Sequence, residues 1–299
     1  MKSIVKQSDK KAAFTIVELL TVMSIIVILI GLLVPALNKV RQYAREVKQR
    51  AQFHSIGAAI ELFNSQFDTL PDSSEFGQEP DGSKKPYCGA MKLAEAMVGK
   101  DLMGFHPDSV FNSSGKDLNG RWLYDPATLD PSARKGPFLP IGNANAYRIE
   151  DIYQDFTSGV PNGGFLAGSI VLCDVFGQVT NRTTGQRIGM PILYYKAHPS
   201  KMLHDVADPA NSIYNYMDNQ DLVMLGEPWD QTIKSRLGRE TGFSDGARFY
   251  ENTLNDQLPN NVRRPFNQDT YLLISAGNDG EYGTSDDICN FDFKYRTLQ

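Results

Sequence analysis

The amino-acid sequence predicts an α+β protein in which a long N-terminal helix, transmembrane in its first half, packs on a C-terminal antiparallel β-sheet with large loop insertions. Three observations predict this class. An uncharged run of 19 residues, 19–37, is followed by helix-compatible sequence to residue 68. Runs in which β-branched and aromatic residues cluster between turn residues lie from residue 165 onward. Between them, residues 72–86 and 112–146 are rich in Gly, Pro, Asn or Asp and predict loops.

The uncharged run is long enough to cross a membrane. At 1.5 Å per residue, a helix of residues 19–37 spans roughly 28 Å, which is close to the hydrocarbon thickness of a bilayer. In the leader, residues 1–13, four lysines stand against a single acid, Asp9. By the positive-inside rule, this asymmetry predicts a single-pass protein with a cytoplasmic N-terminus and an exported remainder.

Two residues of the apolar segment are unusual for a membrane helix. Glu18 places a carboxylate at its start, where charge costs on the order of 2.5–3.5 kcal/mol by insertion scales. Pro35 removes one backbone donor and its ring crowds the carbonyl of Gly31, so we expect a kink or weak point there. The Glu18 carboxylate requires a cationic partner, whereas a proline such as Pro35 is also found in ordinary membrane helices.

Residues 10–18 read Lys-Lys-Ala-Ala-Phe-Thr-Ile-Val-Glu. This order resembles the prepilin leader of type IV pilins and type II secretion pseudopilins. The resemblance implies that a prepilin peptidase cuts between Ala13 and Phe14 and methylates the new amine of Phe14. It also implies that Glu18 pairs with that amine on a neighbouring subunit and that Pro35 marks local melting of the helix in a filament. The alternative is a signal anchor whose acid lies near the membrane interface.

The helix continues beyond the membrane segment and then stops. Ile56, Ile60 and Phe63 recur three and four residues apart and predict a face that is buried against a folded domain. The dipeptide Leu70-Pro71 ends the helix, because a residue before proline disfavours the α region. We therefore expect a helix of about fifty residues, at the 1.5 Å rise of an α-helix, followed by a soluble head.

Three runs predict strands: residues 165–176, 190–197 and 271–276. The first two are placed to form a hairpin across a polar loop. Major pseudopilins carry Asp-Pro-Trp-Gly-x-Pro-Tyr-x-Tyr on a hairpin. This sequence has a partial and interrupted likeness to it, since Asp174-Val175-Phe176-Gly177 is followed much later by Pro191-Ile192-Leu193-Tyr194.

The last predicted strand runs into fourteen residues that read Ser-Ala-Gly-Asn-Asp-Gly-Glu-Tyr-Gly-Thr-Ser-Asp-Asp-Ile. Ca²⁺ takes roughly six to eight oxygen ligands from carboxylates and carbonyls, and a tightly turning acidic loop supplies both. The segment does not have EF-hand spacing but resembles the calcium loop of the major (G-type) pseudopilins. The resemblance implies ligation by the side chains of Asp279, Asp286 and Asp287 and by main-chain oxygens near Leu273 and Ser275. A surface turn without metal is the alternative.

The resemblance also implies a division of the chain and a location for each part. The expected parts are a leader, residues 1–13, a transmembrane assembly helix, 14–37, its amphipathic continuation, 38–68, and a periplasmic head, 69–299, which ends in the calcium-type loop, 275–288.

Charge, cysteines and histidines narrow the function further. Residues 69–299 carry 21 Lys/Arg and 30 Asp/Glu, a net charge of −9, which does not favour binding to nucleic acid. Of Cys88, Cys173 and Cys289, either one pair forms a disulfide or all three are small buried residues. No metalloprotease, nucleophile-elbow or phosphate-loop motif occurs, and His204-Asp205 is better explained as a surface pair than as a dyad. We therefore do not expect an enzyme.

Together these features predict a structural subunit of a type II secretion pseudopilus, single-pass in a bacterial inner membrane. The partners implied by the resemblance are other copies of the chain, other pseudopilins, the prepilin peptidase and the secretion platform of the inner membrane. Two alternatives stay open. One is a type IV pilus subunit with a role in adhesion or motility, and the other is a membrane-anchored exported binding or hydrolase domain.

Overall fold

The computed structural model describes residues 15–125, 131–154, 164–229, 246–259 and 262–292. The chain divides into two units, residues 1–44 and residues 45–299. The α-helices are α1 (Ile16–Phe67), α2 (Gly89–Val98), α3 (Ile141–Ala144), α4 (Ile149–Ile152), α5 (Gln220–Val223) and α6 (Ala247–Thr253). The strands are β1 (Phe76–Gln78), β2 (Lys84–Pro86), β3 (Ala146–Arg148), β4 (Ile170–Leu172), β5 (Val179–Thr180), β6 (Arg187–Ile188), β7 (Leu193–Lys196), β8 (Tyr271–Ser275) and β9 (Ile288–Cys289). Short 3₁₀ segments lie at Pro131–Ala133, Pro209–Asn211 and Tyr216–Asn219.

The part of α1 that lies in the first unit is apolar and exposed. Every residue from 15 to 44 is exposed, including Ile16 at 81% and Leu32 at 71%. By length and composition α1 is able to cross a membrane. The predicted N-terminal apolar helix is therefore present, and it ends at Phe67, next to the predicted limit at residue 68.

In the second unit the remainder of α1 packs against strands. Ile56 and Ile60 are fully buried, and Phe63 is 2% exposed. They share one apolar cluster with Tyr194 of β7 and Leu273 of β8. Burying each such side chain stabilises the fold by roughly 1.5–3 kcal/mol. The prediction of a buried helix face is confirmed for this part of α1, and the class is α+β.

The largest sheet in the described residues has the order β7-β8-β9 and is antiparallel throughout. Leu193 of β7 lies opposite Ile274 of β8, and Ser275 of β8 lies opposite Ile288 of β9. The predicted strand at 271–276 is thus confirmed as β8, and the one at 190–197 is reduced to the four residues of β7. The acidic loop begins at the end of β8 and leads into β9.

The predicted strand at 165–176 is shorter than expected. Ser169 N donates to the Leu166 carbonyl at 2.9 Å, a turn that precedes β4, so only Ile170–Leu172 are extended. Its strand partner is β3, in antiparallel register. The predicted pairing of residues 165–176 with residues 190–197 is present as a backbone hydrogen bond. Asp174 N donates to the Met190 carbonyl at 2.8 Å.

Three parts of the chain correct the sequence interpretation. Residues 72–86, predicted as loop, contain the antiparallel pair β1 and β2. Helix α2 was not predicted, and all ten of its residues are buried. Its two charged residues, Lys92 and Glu95, lie three positions apart on one face and are paired inside the fold with Asp72 and Tyr87, so the burial of this face depends on tertiary contacts. The predicted loop at 112–146 also includes α3 and the first residue of β3.

The three cysteines are buried free thiols, so the alternative without a disulfide is the one observed. Cys88 and Cys173 belong to the larger apolar cluster of the second unit, and Cys289 joins them there from β9. They pack as small apolar residues.

Candidate functional site

The predicted assembly segment begins with a capped helix. Ala13 and Phe14 lie outside the described residues. Thr15 N and Thr15 Oγ1 donate to Glu18 Oε2 at 2.9 and 2.7 Å, and Glu18 N donates back to Thr15 Oγ1 at 3.2 Å. This reciprocal pattern is a capping box, which satisfies two backbone donors that the first turn leaves unpaired. Glu18 therefore has a local role in starting α1, and its pairing with the amine of a neighbouring subunit stays a prediction.

Pro35 lies inside α1, and the helix continues through it without interruption. Because proline has no N–H, the carbonyl of Gly31 loses its partner at this point. The predicted weakness is thus a missing hydrogen bond within a continuous helix.

The C-terminal acidic loop starts at the end of β8 with a tight turn. Gly277 has φ of 66°, and a Cβ at this position would lie 2.3 Å from the Asp286 carbonyl oxygen. Only glycine combines this left-handed conformation with so close an approach. The loop therefore folds back so that its early part meets Asp286.

Asp286 organises the turn. Its Oδ2 accepts hydrogen bonds from Asn278 N at 2.7 Å and Asp279 N at 3.0 Å, and its Oδ1 accepts one from Thr284 Oγ1 at 2.6 Å. Burial acts to raise the pKa of Asp286. These hydrogen bonds, together with the contact to the Asp279 side chain, outweigh burial and hold the pKa below its ordinary value. Of Asp286 and Asp279, Asp286 is therefore the one that is ionised.

The other two aspartates of the loop behave differently. Burial, with the nearby Asp286 carboxylate adding to it, raises the pKa of Asp279 to about 6. Asp287 is 7% exposed and accepts from Gly283 N at 2.8 Å. Burial raises its pKa well above the ordinary value, and the two backbone donors that face it, Gly283 and Thr284, only partly oppose the shift. Three carboxylates crowd this loop, and their mutual repulsion favours a proton or a cation among them.

The structure brings together part of the predicted ligand set. The side chains of Asp279 and Asp286 are in contact, whereas Asp287 is directed to backbone N–H groups. The Leu273 carbonyl accepts from Asn290 N at 3.2 Å, and the Ser275 hydroxyl donates to another acid, Asp174. Within the described ranges no group of three or more His, Cys, Asp or Glu is arranged to hold a metal ion. Calcium binding remains a prediction.

Asp174 is a buried acid that sequence reasoning did not include in the site. It is fully buried and accepts from Phe176 N at 3.1 Å, Met190 N at 3.2 Å and Ser275 Oγ at 2.9 Å. Burial raises its pKa to about 7, although these three donors act to lower it. The signal that could have indicated it was the start of the interrupted hairpin motif. It connects the end of β8 to the segment that follows β4.

Helix α1 holds that same segment through two glutamines. Gln52 Nε2 donates to the Cys173 carbonyl at 2.9 Å, and Gln49 Oε1 accepts from Val175 N at 3.0 Å. Both side chains are buried. Because they bond on either side of Asp174, they fix its position relative to α1.

The interpretation of His204-Asp205 as a surface pair is wrong for the histidine, because His204 is only 2% exposed. The ring of His204 is buried, and its Nε2 lies 3.2 Å from the Tyr250 carbonyl and 3.0 Å from Thr253 Oγ1. Burial lowers its pKa to about 3. The ring is therefore neutral and packs inside the second unit, and it does not bond to Asp205 in the described structure.

Comparison with family models, with curated proteins and with solved structures finds no match to this chain.

The buried Asp174 makes a prediction about pH. Its folded-state pKa of about 7 exceeds the ordinary value of 3.8, so the folded chain retains a proton that the unfolded chain releases. Its contribution to stability is therefore complete below about pH 4 and is lost as the pH rises through 7, at roughly 1.4 kcal/mol per pKa unit. Asp174→Asn keeps an amide in place of the protonated acid. We expect the free energy of unfolding of this variant, measured by urea titration of the full chain in detergent, to fall less between pH 4 and 8 than that of the wild type.

The control is Asp292→Asn, which changes an exposed carboxyl group in the same way. It should reproduce the wild-type pH profile. Parallel profiles for Asp174→Asn and wild type would show that Asp174 does not titrate in this range.

Proposed function

We propose that this chain is a structural subunit of a type II secretion pseudopilus, or of a closely similar pilin-like filament, that assembles through its N-terminal helix. The observation that carries the proposal is Glu18, a single acid at the start of an exposed apolar helix. In lipid an unpaired carboxylate is costly, and a cation supplied by a second copy lowers that cost. Assembly therefore provides the cation that pairs with Glu18, which the isolated chain lacks.

The capping box supports a second role for the same residue. With the helix starting at Ile16, the cap holds the Glu18 carboxylate next to Thr15, which would be the second residue of a chain cut after Ala13. A carboxylate at a helix N-terminus also interacts favourably with the helix dipole. The acid is thus held at the end of the helix where a neighbour's terminal amine would have to approach.

The head supports a pilin-like fold as part of the proposal. The second half of α1 packs on an antiparallel sheet through Ile56, Ile60 and Phe63, which is the arrangement expected of that family. The head would lie in the periplasm, and the leader, residues 1–13, in the cytoplasm. Other copies of the chain, other pseudopilins, the prepilin peptidase and the inner-membrane platform would be its partners, and its work would be mechanical.

Maturation gives the first test. Protein extracted from the membrane of its native host should begin with N-methylated Phe14, as measured by N-terminal sequencing and mass spectrometry. The same protein from a strain without prepilin peptidase should begin at Met1. An intact leader in both strains would favour a membrane-anchored exported domain, whereas loss of surface filaments with normal secretion on gene deletion would favour a type IV pilus.

The charge of Glu18 gives a second test, because its two roles can be separated. Glu18→Gln preserves a side chain that completes a capping box but removes the charge. Glu18→Ala removes both, and Thr15→Ala removes the cap hydroxyl alone. We expect both Glu18 variants to lower filament yield at least about tenfold, which corresponds to loss of roughly 1.4 kcal/mol of pairing energy. Filaments are quantified by shearing and immunoblotting.

Thr15→Ala is the matched control and should assemble within about twofold of wild type, since a capping group contributes only roughly 1 kcal/mol to helix stability. If Glu18→Gln assembles like wild type while Glu18→Ala does not, the residue serves the helix cap and the pairing proposal is wrong.

Calcium is proposed as a structural ion of the C-terminal loop. Asp279 and Asp286 are adjacent and crowd one another, which fits a divalent cation, and Asp287 with the main-chain oxygens at Leu273 and Ser275 would complete its ligands. The ion would supply charge neutralisation. When free Ca²⁺ is at about a hundredfold excess over its Kd, binding adds about 2.7 kcal/mol to the free energy of unfolding. Removing the ion with EGTA should therefore lower the Tm by roughly 5–10 °C.

Asp279→Asn should abolish the response to EGTA, whereas Asp208→Asn, which changes an acid outside the loop, should retain it. Thermal unfolding is followed by circular dichroism with Ca²⁺, Mg²⁺ or EGTA. A Tm that does not move on exhaustive chelation would contradict a bound ion.

A further inference from the structure

A polar cavity of about 530 Å³ lies in the second unit, beside the part of α1 that carries Gln52. Its volume falls within the roughly 300–1,000 Å³ that is usual for small-molecule sites. We call it the Gln52 cavity. Its walls come from α1, from the region of α3 and β3, and from residues 174–177 and 186–189. These segments are distant in sequence and meet only in the folded chain.

Gln52 contributes a buried acceptor to this cavity. The residue is 7% exposed, and its Nε2 donates to the Cys173 carbonyl at 2.9 Å. That bond fixes the orientation of the amide, because a carbonyl oxygen cannot donate. Gln52 Oε1 has no hydrogen-bond donor among the described residues. A buried acceptor without a donor is unfavourable, and a ligand hydroxyl or N–H would pair it once a shift of the Gln52 side chain exposes this shielded oxygen to the cavity.

Other lining groups offer donors and acceptors side by side. Gln186 Nε2 donates to the Tyr147 hydroxyl at 2.7 Å, which leaves the Tyr147 proton and Gln186 Oε1 for another molecule. Asn145 Nδ2 donates to the carbonyls of Cys173 and Asp174 at 2.8 and 2.5 Å, which leaves its Oδ1. Groups that both donate and accept, as alcohol hydroxyls do, match such a wall.

The charge that remains available in the cavity is positive. Arg187 Nε donates to the Gly177 carbonyl at 2.6 Å, which holds the guanidinium in place while its terminal nitrogens remain for a ligand. Lys48 also lines the cavity. Asp174 is the one acid among the described lining residues, and its oxygens already accept three hydrogen bonds. An Arg and a Lys that line one cavity suit a carboxylate.

The apolar content of the lining is small. Ala51 and Val175 are its aliphatic side chains, and Tyr147 is its aromatic one. A fatty acid requires a largely apolar pocket, and a nucleobase is usually held by aromatic stacking. Neither fits this composition as well as a polyhydroxylated ligand does.

We propose that the Gln52 cavity binds an acidic sugar, a hexuronate unit whose hydroxyls bond to Gln52, Tyr147 and the neighbouring amides and whose carboxylate meets Arg187 and Lys48. This site goes beyond the proposed filament function and does not depend on it. An unprocessed chain has the same cavity, so failure of maturation or assembly leaves the binding test unaffected.

The test compares ligands that differ in one group. D-glucuronate and D-galacturonate are titrated into the full chain in detergent by calorimetry, beside D-glucose, D-galactose and acetate. We expect at least one uronate to bind at least tenfold more tightly than its neutral hexose and than acetate. Equal binding of acetate would mean a simple anion site, and equal binding of the neutral hexose would mean that the cations do not recognise the ligand. Either result, or no binding of either uronate, overturns the proposal.

Two pairs of variants locate the binding. Gly142 lines the cavity, and a Cβ there meets no atom within 4 Å, so a side chain introduced by Gly142→Phe starts in open space. Gly168→Phe is equally unobstructed but lies elsewhere. The first should abolish uronate binding and the second should leave it within twofold. Arg187→Gln should weaken uronate binding at least tenfold and leave binding of the neutral sugar unchanged. Lys201→Gln should change the binding of neither ligand.

Each variant is checked for an unchanged thermal unfolding curve before titration. If uronate binding persists in Gly142→Phe, the Gln52 cavity is not the site. If Gly142→Phe instead impairs filament assembly while uronate binding is intact, the cavity receives a neighbouring copy of the chain, and the sugar proposal is overturned.

Discussion

The packing of the second half of α1 on the sheet is the constraint on which the rest of the second unit depends. Its apolar part, which includes Ile56 and Phe63, buries side chains against β7 and β8. Its polar part, Gln49 and Gln52, bonds to the backbone on either side of Asp174. Because buried backbone groups have to be paired, these two bonds fix how the strand segment lies on the helix. The acidic loop and the Gln52 cavity both take their position from that segment.

The sequence predicted the elements whose pattern is long and regular. The end of α1 differs from the predicted limit by one residue, and β8 by one residue, since a period of 3.6 or an apolar run between turn residues marks each. The elements it missed are short, at most ten residues each. Helix α2 is buried on every side, and β1 and β2 have three residues each with lysines and a proline in the second. Their conformation is decided by tertiary contacts that no local window contains.

The residues of the candidate site also divide into those that the sequence predicted and those that it missed. Spacing alone indicated that Asp279 and Asp286 share a loop, and the turn at Gly277 does bring them together. Spacing could not decide which way Asp287 points, because adjacent residues face different directions and the choice depends on the backbone donors nearby. Asp174 and Ser275 are 101 residues apart in sequence, so their contact is invisible until the strands are paired.

Asp174 explains why the second unit tolerates a buried acid at its centre. A carboxyl group inside an apolar cluster is unfavourable, and its raised pKa measures that penalty. An apolar residue there would avoid the penalty but would leave Phe176 N, Met190 N and Ser275 Oγ without their acceptor, and each such loss costs roughly 1–3 kcal/mol. One acid therefore satisfies three donors from three segments. It fixes the junction at which α1, the sheet and the acidic loop meet, and the shape of the Gln52 cavity depends on that junction.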